Sequence, residues 1–418
     1  MFRQTIKSTL ILLIALEIIL CAYFQISMRG DVQRNLLKQV PVFNLRMIYK
    51  KIAFDGWGSD KNRYEAQKSD YFVFDGTLGY RLKHNSKISS LTSNKEGKVM
   101  FDDQNILVTD RYGYVSNAKD LQRDYKAIAK DDKMYKIIIS GGSTVAGWGA
   151  SDNKNTWPAI LERKLNDSKN EILNDYDHIA VINTGVLGYK ISNEIRRFAD
   201  ETSYLNPNLV IAFNGINEKW TYKGNPVDYG FHSEQYRVMN GYNGVDRYKE
   251  VLFFPYFRLF AQKIAGMKLK FRRGDYYSYA QKGYLSLSYQ ELYLSKIKQF
   301  KKLSESVDAE FIYILQPLMG IGNKSYSKFE KLMIANYFGG KHFYTSSWGN
   351  YIKSARIFYS QIESGLDQPY MHSFADIFNE VSDTVYSDPR HYNDEGQEII
   401  AEYVFKLVLD NYATISHK

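Results

Sequence analysis

This sequence predicts an α/β fold built on a parallel sheet, on three observations. From residue 134 onward, short β-branched runs recur: "YKIIIS", "HIAVINTG", "NLVIAFNG" and "EFIYILQP". Each run ends in a turn signal. Between the runs lie helical stretches such as "WPAILERKL" and "SNEIRRFADET". Strands that alternate with helices form parallel sheets, because a parallel return needs a crossover long enough to hold a helix. Ligands of such sheets bind at the carboxyl ends of the strands.

The chain has 418 residues, ample for one large core with additions. Hydrophobic residues make up 44% and charged residues 24%, which excludes a disordered chain. The net charge of +9 suits an anionic partner. The excess is spread along the chain without a long Lys/Arg run, so a solvated basic surface is expected and no nucleic-acid partner. Cys21 is the one cysteine, which excludes an intramolecular disulfide and a Cys-based zinc site.

Residues 8–28, "STLILLIALEIILCAYFQISM", are long and apolar enough to span a bilayer. Arg3 and Lys7 precede the run and Arg29 follows it. No small-x-small cleavage site ends it, so an uncleaved anchor is expected rather than a signal peptide. Residues 29–70 are charged and without clear periodicity. "YFVFDGTLGYRLKHNSKISS" and "NILVTDRYGYVSN" then alternate apolar residues with Gly and Asn punctuation, as hairpin strands do. Residues 219–290 interrupt the strand–helix alternation between the third and fourth runs. They are rich in Tyr and Phe and include "VLFFPYFRLFAQKIAGMKLKFRR". The segment from Phe253 to Arg273 is expected near the membrane or as a lid at the mouth of the site.

The chemistry stands at the ends of the strands. The first run passes into "GGST", placing Ser143 after a sharp Gly141–Gly142 turn at a helix start. There its N–H is free and its hydroxyl exposed. The plain alternative is a Ser N-cap. The second run ends in "NTGVLGYK", where Gly185 and Gly188 leave backbone N–H groups open to a ligand. The third ends in "NGINE", with the Asn217 amide at the rim. In "SDPRHYNDEGQ", Asp388 stands three residues before His391, just ahead of a C-terminal amphipathic stretch. That spacing lets the carboxylate meet one imidazole nitrogen while the other faces outward, a base with its orienting partner.

Four such features in order resemble the four blocks of the SGNH (GDSL-type) hydrolases: Ser143 in "GGST", Gly188 in "NTGVLG", Asn217 in "NGINE" and His391 in "DPRH". The resemblance covers residues 134–218 and 311–409. The upstream "LGYRLKHN" and "TDRYGYVSN" are similar to the leader of membrane-anchored or secreted members. The resemblance implies a flavodoxin-like three-layer α/β/α sandwich. It implies Ser143 as nucleophile, His391 as base and Asp388 as its orienting carboxylate. The oxyanion hole it implies is the N–H groups of Ser143 and Gly188 with the Asn217 side chain. No metal or organic cofactor is implied. Gly142 stands where the name-giving motif has an acidic residue, and Glu218 stands where Asp is usual.

The domain organisation then reads as a cytoplasmic tail (1–7), a transmembrane anchor (8–28), a membrane-proximal region with strands (29–130) and an SGNH domain (131–418) with its insertion at about 219–290. Resolution of an acyl-enzyme by water makes an esterase, and resolution by a sugar hydroxyl makes an O-acyltransferase. A catalytically idle scaffold is the third class. The expected substrate is a small ester or an acylated carbohydrate of the cell envelope, with the catalytic domain on the extracytoplasmic side. Tyr222, Tyr229, Tyr236 and Tyr242 of the insertion offer stacking faces for sugar rings, or pack the insertion itself. His84, His178, His232, His342 and His372 form no ligand spacing, and no P-loop, HExxH or dinucleotide fingerprint is present.

Overall fold

The computed structural model describes residues 71–75, 78–93, 99–172, 175–219, 289–339 and 348–416. They belong to one of the two compact units into which the chain divides, Arg63–His232 with Leu285–Lys418. The apolar run 8–28, the region 29–70 and the bulk of the insertion, with Phe253 to Arg273 and its tyrosines, lie outside the described residues. Among the described residues, no helix is long and apolar enough to cross a membrane.

Two antiparallel hairpins come first. β1 (Phe72–Asp75) pairs with β2 (Gly79–Leu82), and β3 (Lys87–Ser93) with β4 (Val99–Val108). A short helix, α1 (Tyr125–Lys130), follows. The Asp124 side chain caps it, accepting the N–H groups of Lys126 and Ala127.

The strand–helix alternation then begins. β5 (Met134–Gly141) leads through α2 (Ser143–Ala146) and α3 (Trp157–Ile172) to β6 (His178–Asn183). α4 (Ile191–Asp200) leads to β7 (Leu209–Asn214), and α5 (Ile216–Lys219) follows it. After the insertion come α6 (Tyr289–Glu305), β8 (Glu310–Leu315), α7 (Lys328–Gly339), α8 (Trp348–Glu363), β9 (Met371–Ser373) and α9 (Asp394–Ser416).

The sheet order is β6-β5-β7-β8-β9, and every pairing is parallel. Side chains alternate across it, as strand geometry demands. Ile137, Ile139, Ile211, Phe213, Ile312 and Ile314 join α3 and α9 in one apolar layer. Ile138, Ile182, Val210, Ala212, Phe311 and Tyr313 join α4, α6 and α8 in the other. The result is a three-layer α/β/α sandwich. Both faces are covered, which is why the runs read as continuous rather than alternating. Each fully buried isoleucine contributes about 1.5–3 kcal/mol.

From β5 the chain steps to β6 on one side, and from β7 it steps to β8 on the other. The crevice at the carboxyl ends of β5 and β7 is therefore the point where the strand order reverses, the usual ligand site of an open parallel sheet. The fifth strand, β9, is an addition to the four runs seen in the sequence. It has three residues, and its place comes from pairing with Tyr313–Leu315.

The upstream hairpins pack onto this same unit. The Tyr80 hydroxyl donates to the Leu187 carbonyl at 3.0 Å, and the Tyr189 hydroxyl donates to the Tyr80 carbonyl at 2.6 Å. Their rings meet edge to face, with centroids 5.3 Å apart. The leader motif "LGYRLKHN" thus braces the loop that carries Gly188.

Candidate active site

Ser143 opens α2 directly after Gly142, at the end of β5. Its turn is fixed from three sides. The Trp157 indole N–H donates to the Thr144 carbonyl at 3.1 Å, Asn183 Nδ2 donates to the Val145 carbonyl at 2.9 Å, and the Trp148 N–H donates to the Ser143 carbonyl at 2.9 Å.

His391 arrives from the far end of the sequence on the loop before α9. That loop is closed by a bridge between Tyr386 and Tyr392 and by the Ser387 N–H donating to the His391 carbonyl at 2.9 Å. The Tyr392 hydroxyl ties it to the Pro317 carbonyl beyond β8 at 2.6 Å. Ser143 Oγ lies 2.7 Å from His391 Nε2, and His391 Nδ1 lies 2.7 Å from Asp388 Oδ2. The other Asp388 oxygen accepts the N–H groups of Arg390 (2.7 Å) and His391 (3.0 Å), a local turn that Asp favours.

Asp388 is 1% exposed. Burial alone would raise its pKa. The adjoining His391 and the two backbone N–H groups outweigh burial and bring it below the ordinary carboxylate value. The carboxylate is therefore ionised at neutral pH and fixes Nδ1 as the protonated nitrogen. Nε2 is left to accept from Ser143.

The two glycines of "NTGVLG" take different parts. The Gly185 N–H donates to Asn183 Oδ1 at 3.0 Å, so it is occupied within its own turn. Gly188 adopts φ +84°, where an L side chain is strained and glycine is not. Among the described residues, neither the Gly188 N–H nor the Ser143 N–H meets an acceptor. Asn217, in the turn after β7, donates one amide hydrogen to the Tyr189 carbonyl at 2.9 Å. An amide nitrogen carries two, so a second remains for a ligand.

That same nitrogen explains Gly142. A Cβ built there would stand 2.5 Å from Asn217 Nδ2. In this chain a side chain at 142 would displace the amide, so the departure from the acidic residue of the name-giving motif goes with a close approach of Asn217 to the serine turn.

Two contributors went unseen in the sequence. The Trp148 ring stacks on the His391 imidazole, with centroids 6.0 Å apart and planes 25° off parallel. It is 3% exposed and limits how far the imidazole can swing. Its only signal is its place in "GWG" just past the serine. The second is Asp394, the first residue of α9, whose carboxylate accepts the Ser151 N–H at 2.8 Å and bonds the Ser151 hydroxyl. It fastens the start of the histidine helix to the segment following the nucleophile turn.

Neither a protein-family model nor a curated protein sequence matches the chain. Solved structures do. One is an acetyl xylan esterase, 14% identical, covering 65% of this chain and 99% of its own, with a TM-score of 0.34. Another is an acetylxylan esterase from Geobacillus stearothermophilus, 14% identical, covering 65% of this chain and 93% of its own, with a TM-score of 0.33. A third is a two-domain esterase active on acetylated mannans, 12% identical, covering 69% of this chain and 52% of its own, with a TM-score of 0.36. At these identities and TM-scores, the likenesses decide nothing about the reaction. The functional reading rests on the site.

Proposed function

We propose that the domain is a serine ester hydrolase of the SGNH type that removes acyl groups, acetyl foremost, from cell-envelope carbohydrate. The observation that carries the reading is the pair of 2.7 Å contacts, Ser143 to His391 and His391 to Asp388, beside N–H donors that meet no acceptor among the described residues. Ser143 Oγ attacks the ester carbonyl carbon while His391 Nε2 takes its proton. Asp388 holds the imidazolium that forms. The carbonyl oxygen becomes an oxyanion against the Ser143 and Gly188 N–H groups and the Asn217 amide. Collapse breaks the ester C–O bond, and the leaving alcohol takes the proton from His391. Water then gives a proton to His391 and adds to the acyl-enzyme, releasing the carboxylic acid and restoring Ser143.

The carbohydrate assignment rests on the balance of charge and on the N-terminal run. A net charge of +9 suits an anionic polymer. Residues 8–28 would tether an outward-facing domain to the membrane. Amino-terminal sequencing of the mature protein from the membrane fraction checks the tether. It should begin at residue 1, whereas a soluble form beginning near residue 29 would remove the anchor.

The chemistry is tested with acetylated sugars and small acetate esters. Replacing Asn217 with Ala removes one oxyanion donor and should lower kcat by about 10²–10³-fold while leaving measurable turnover. An unchanged kcat would exclude Asn217 from the hole. Turnover by the wild type only when a sugar hydroxyl is supplied as acceptor would make the protein a transferase.

A further inference from the structure

Two buried carboxyl groups stand directly behind the loops that carry Gly188 and Asn217. Glu194 lies in the first turn of α4 and is 1% exposed, and Glu218 lies in α5 and is 4% exposed. Glu194 Oε2 accepts Asn214 Nδ2 at 3.0 Å, while its Oε1 meets no donor among the described residues. Glu218 Oε1 accepts the Ile191 N–H at 2.6 Å. That bond joins the Asn217 turn to the start of α4, two residues past Tyr189, whose carbonyl holds Asn217. Glu194 reaches the same turn from behind, through Asn214 at the end of β7.

Among the described residues, no ion pair joins a cation to Glu194. From α6 and β8 come the Tyr293 and Tyr313 hydroxyls. They bond each other at 2.8 Å, and Tyr293 also donates to Asn214 Oδ1. On α4 itself, Arg197 gives Nη1 to the Thr184 carbonyl at 2.7 Å and turns Nη2 toward Glu201 at 3.5 Å. Lys190 precedes the helix, and no ion pair joins it to Glu194 among the described residues. Two buried carboxylates that feel each other's charge, with no cation on one of them, do not both stay ionised.

We propose that Glu194 carries a proton in the working enzyme, so that the Glu194–Glu218 pair holds a single negative charge and ties the two oxyanion-donor loops together. The unpartnered Oε1 is the oxygen that bears this hydrogen. Burial first, then the charge of Glu218, pushes the Glu194 carboxyl well above the ordinary carboxylate range. Loss of the proton would place a second negative charge behind Asn217 and oppose the developing oxyanion. Glu194 is thus a positioning residue, and its effect on rate rests on the esterase assignment above.

The sign of the pH dependence follows. A carboxyl whose folded pKa is raised contributes stability that is complete below its unfolded value of about 4.3. That contribution is lost as the pH rises toward the folded value. The same rise in pH should lower kcat, since the neutral form serves catalysis.

Glu194→Gln keeps an acceptor for Asn214 and an N–H in place of the proton, but cannot ionise. It should lose the alkaline fall in kcat that the wild type shows, and its melting temperature should no longer decline as pH rises above the ordinary carboxylate range. An alkaline limb and a Tm–pH curve that both match the wild type would overturn the proposal. The infrared spectrum of the wild type at pH 8 gives a reading that needs no activity. The carbonyl stretch of a protonated carboxylic acid should be present there, and its absence would also overturn the proposal. A wild type that shows this band, and loses it in Glu194→Gln, but hydrolyses no ester keeps the proton on Glu194 and removes the esterase reading.

Discussion

Replacing Ser143 with Ala is expected to lower ester turnover by about 10⁶-fold, to the rate the oxyanion donors and binding alone can sustain. Among the described residues, the Ser143 side chain is the group placed to attack, 2.7 Å from the nitrogen that takes its proton. No fold change should accompany the loss. The hydroxyl contacts His391 at the surface of the crevice, and the turn is held by the backbone and by Trp157, Asn183 and Trp148. His391→Ala should fall to a similar level, and the double variant little further, because residues that act as one unit are not additive. Kinetics at matched circular dichroism spectra check this. A Ser143→Ala enzyme with a tenth of wild-type kcat would place the chemistry elsewhere.

The largest expected effect on stability lies behind the histidine loop. Lys324 Nζ pairs with Glu330 at 3.2 Å and donates to the Val381 and Asp383 carbonyls at 2.8 Å each. Glu330 is fully buried, and its other oxygen accepts the Val385 N–H at 3.1 Å. This ion pair pins residues 381–385, from which the loop continues to Asp388 and His391. Lys324→Met would leave a buried carboxylate without its cation and two carbonyls without a donor. Breaking such a pair costs about 3–5 kcal/mol, which lowers the Tm by roughly 6–20 °C. Removing both charges in Lys324→Met/Glu330→Leu should recover much of that, since the orphaned charge is the main penalty. Differential scanning calorimetry decides. A single variant that melts within a degree or two of the wild type would mean that water solvates the pair.

The core of the fold was legible because its strands are buried on both faces. "YKIIIS" and "NLVIAFNG" each hold an unbroken apolar stretch, Ile137–Ile139 and Leu209–Phe213, and the strands end at Gly141 and Asn214, within a residue or so of where the sequence stops them. The residues with chemistry follow directly after those runs, so the sequence places Ser143 and Asn217 at one edge without any knowledge of packing. Asp388 and His391 were legible through local spacing taken together with the strand-end features that precede them.

What could not be read depends on partners distant in the chain. β9 is too short to carry a pattern and exists by pairing with β8. "SNEIRRFADET" puts Glu194 and Arg197 in an ordinary charged helix, yet each is 1% exposed. Asn214 and Thr184, on the ends of two strands, supply their bonds. The choice of Gly188 over Gly185, already suggested by the block pattern, gains its physical reason from one hydrogen bond, from the Gly185 N–H to Asn183. The bracing of that loop by Tyr80 joins residues 107 positions apart.

The central claim is that Ser143, activated by His391 and Asp388, is an acylatable nucleophile. Peptide mass spectrometry after treatment with a fluorophosphonate tests it most directly, because the serine oxygen displaces fluoride and keeps the phosphonyl group. A single adduct is predicted, on the peptide containing Ser143. It should form far more slowly in His391→Ala and be absent in Ser143→Ala. An unlabelled wild type, or an adduct that persists in Ser143→Ala, would contradict the account.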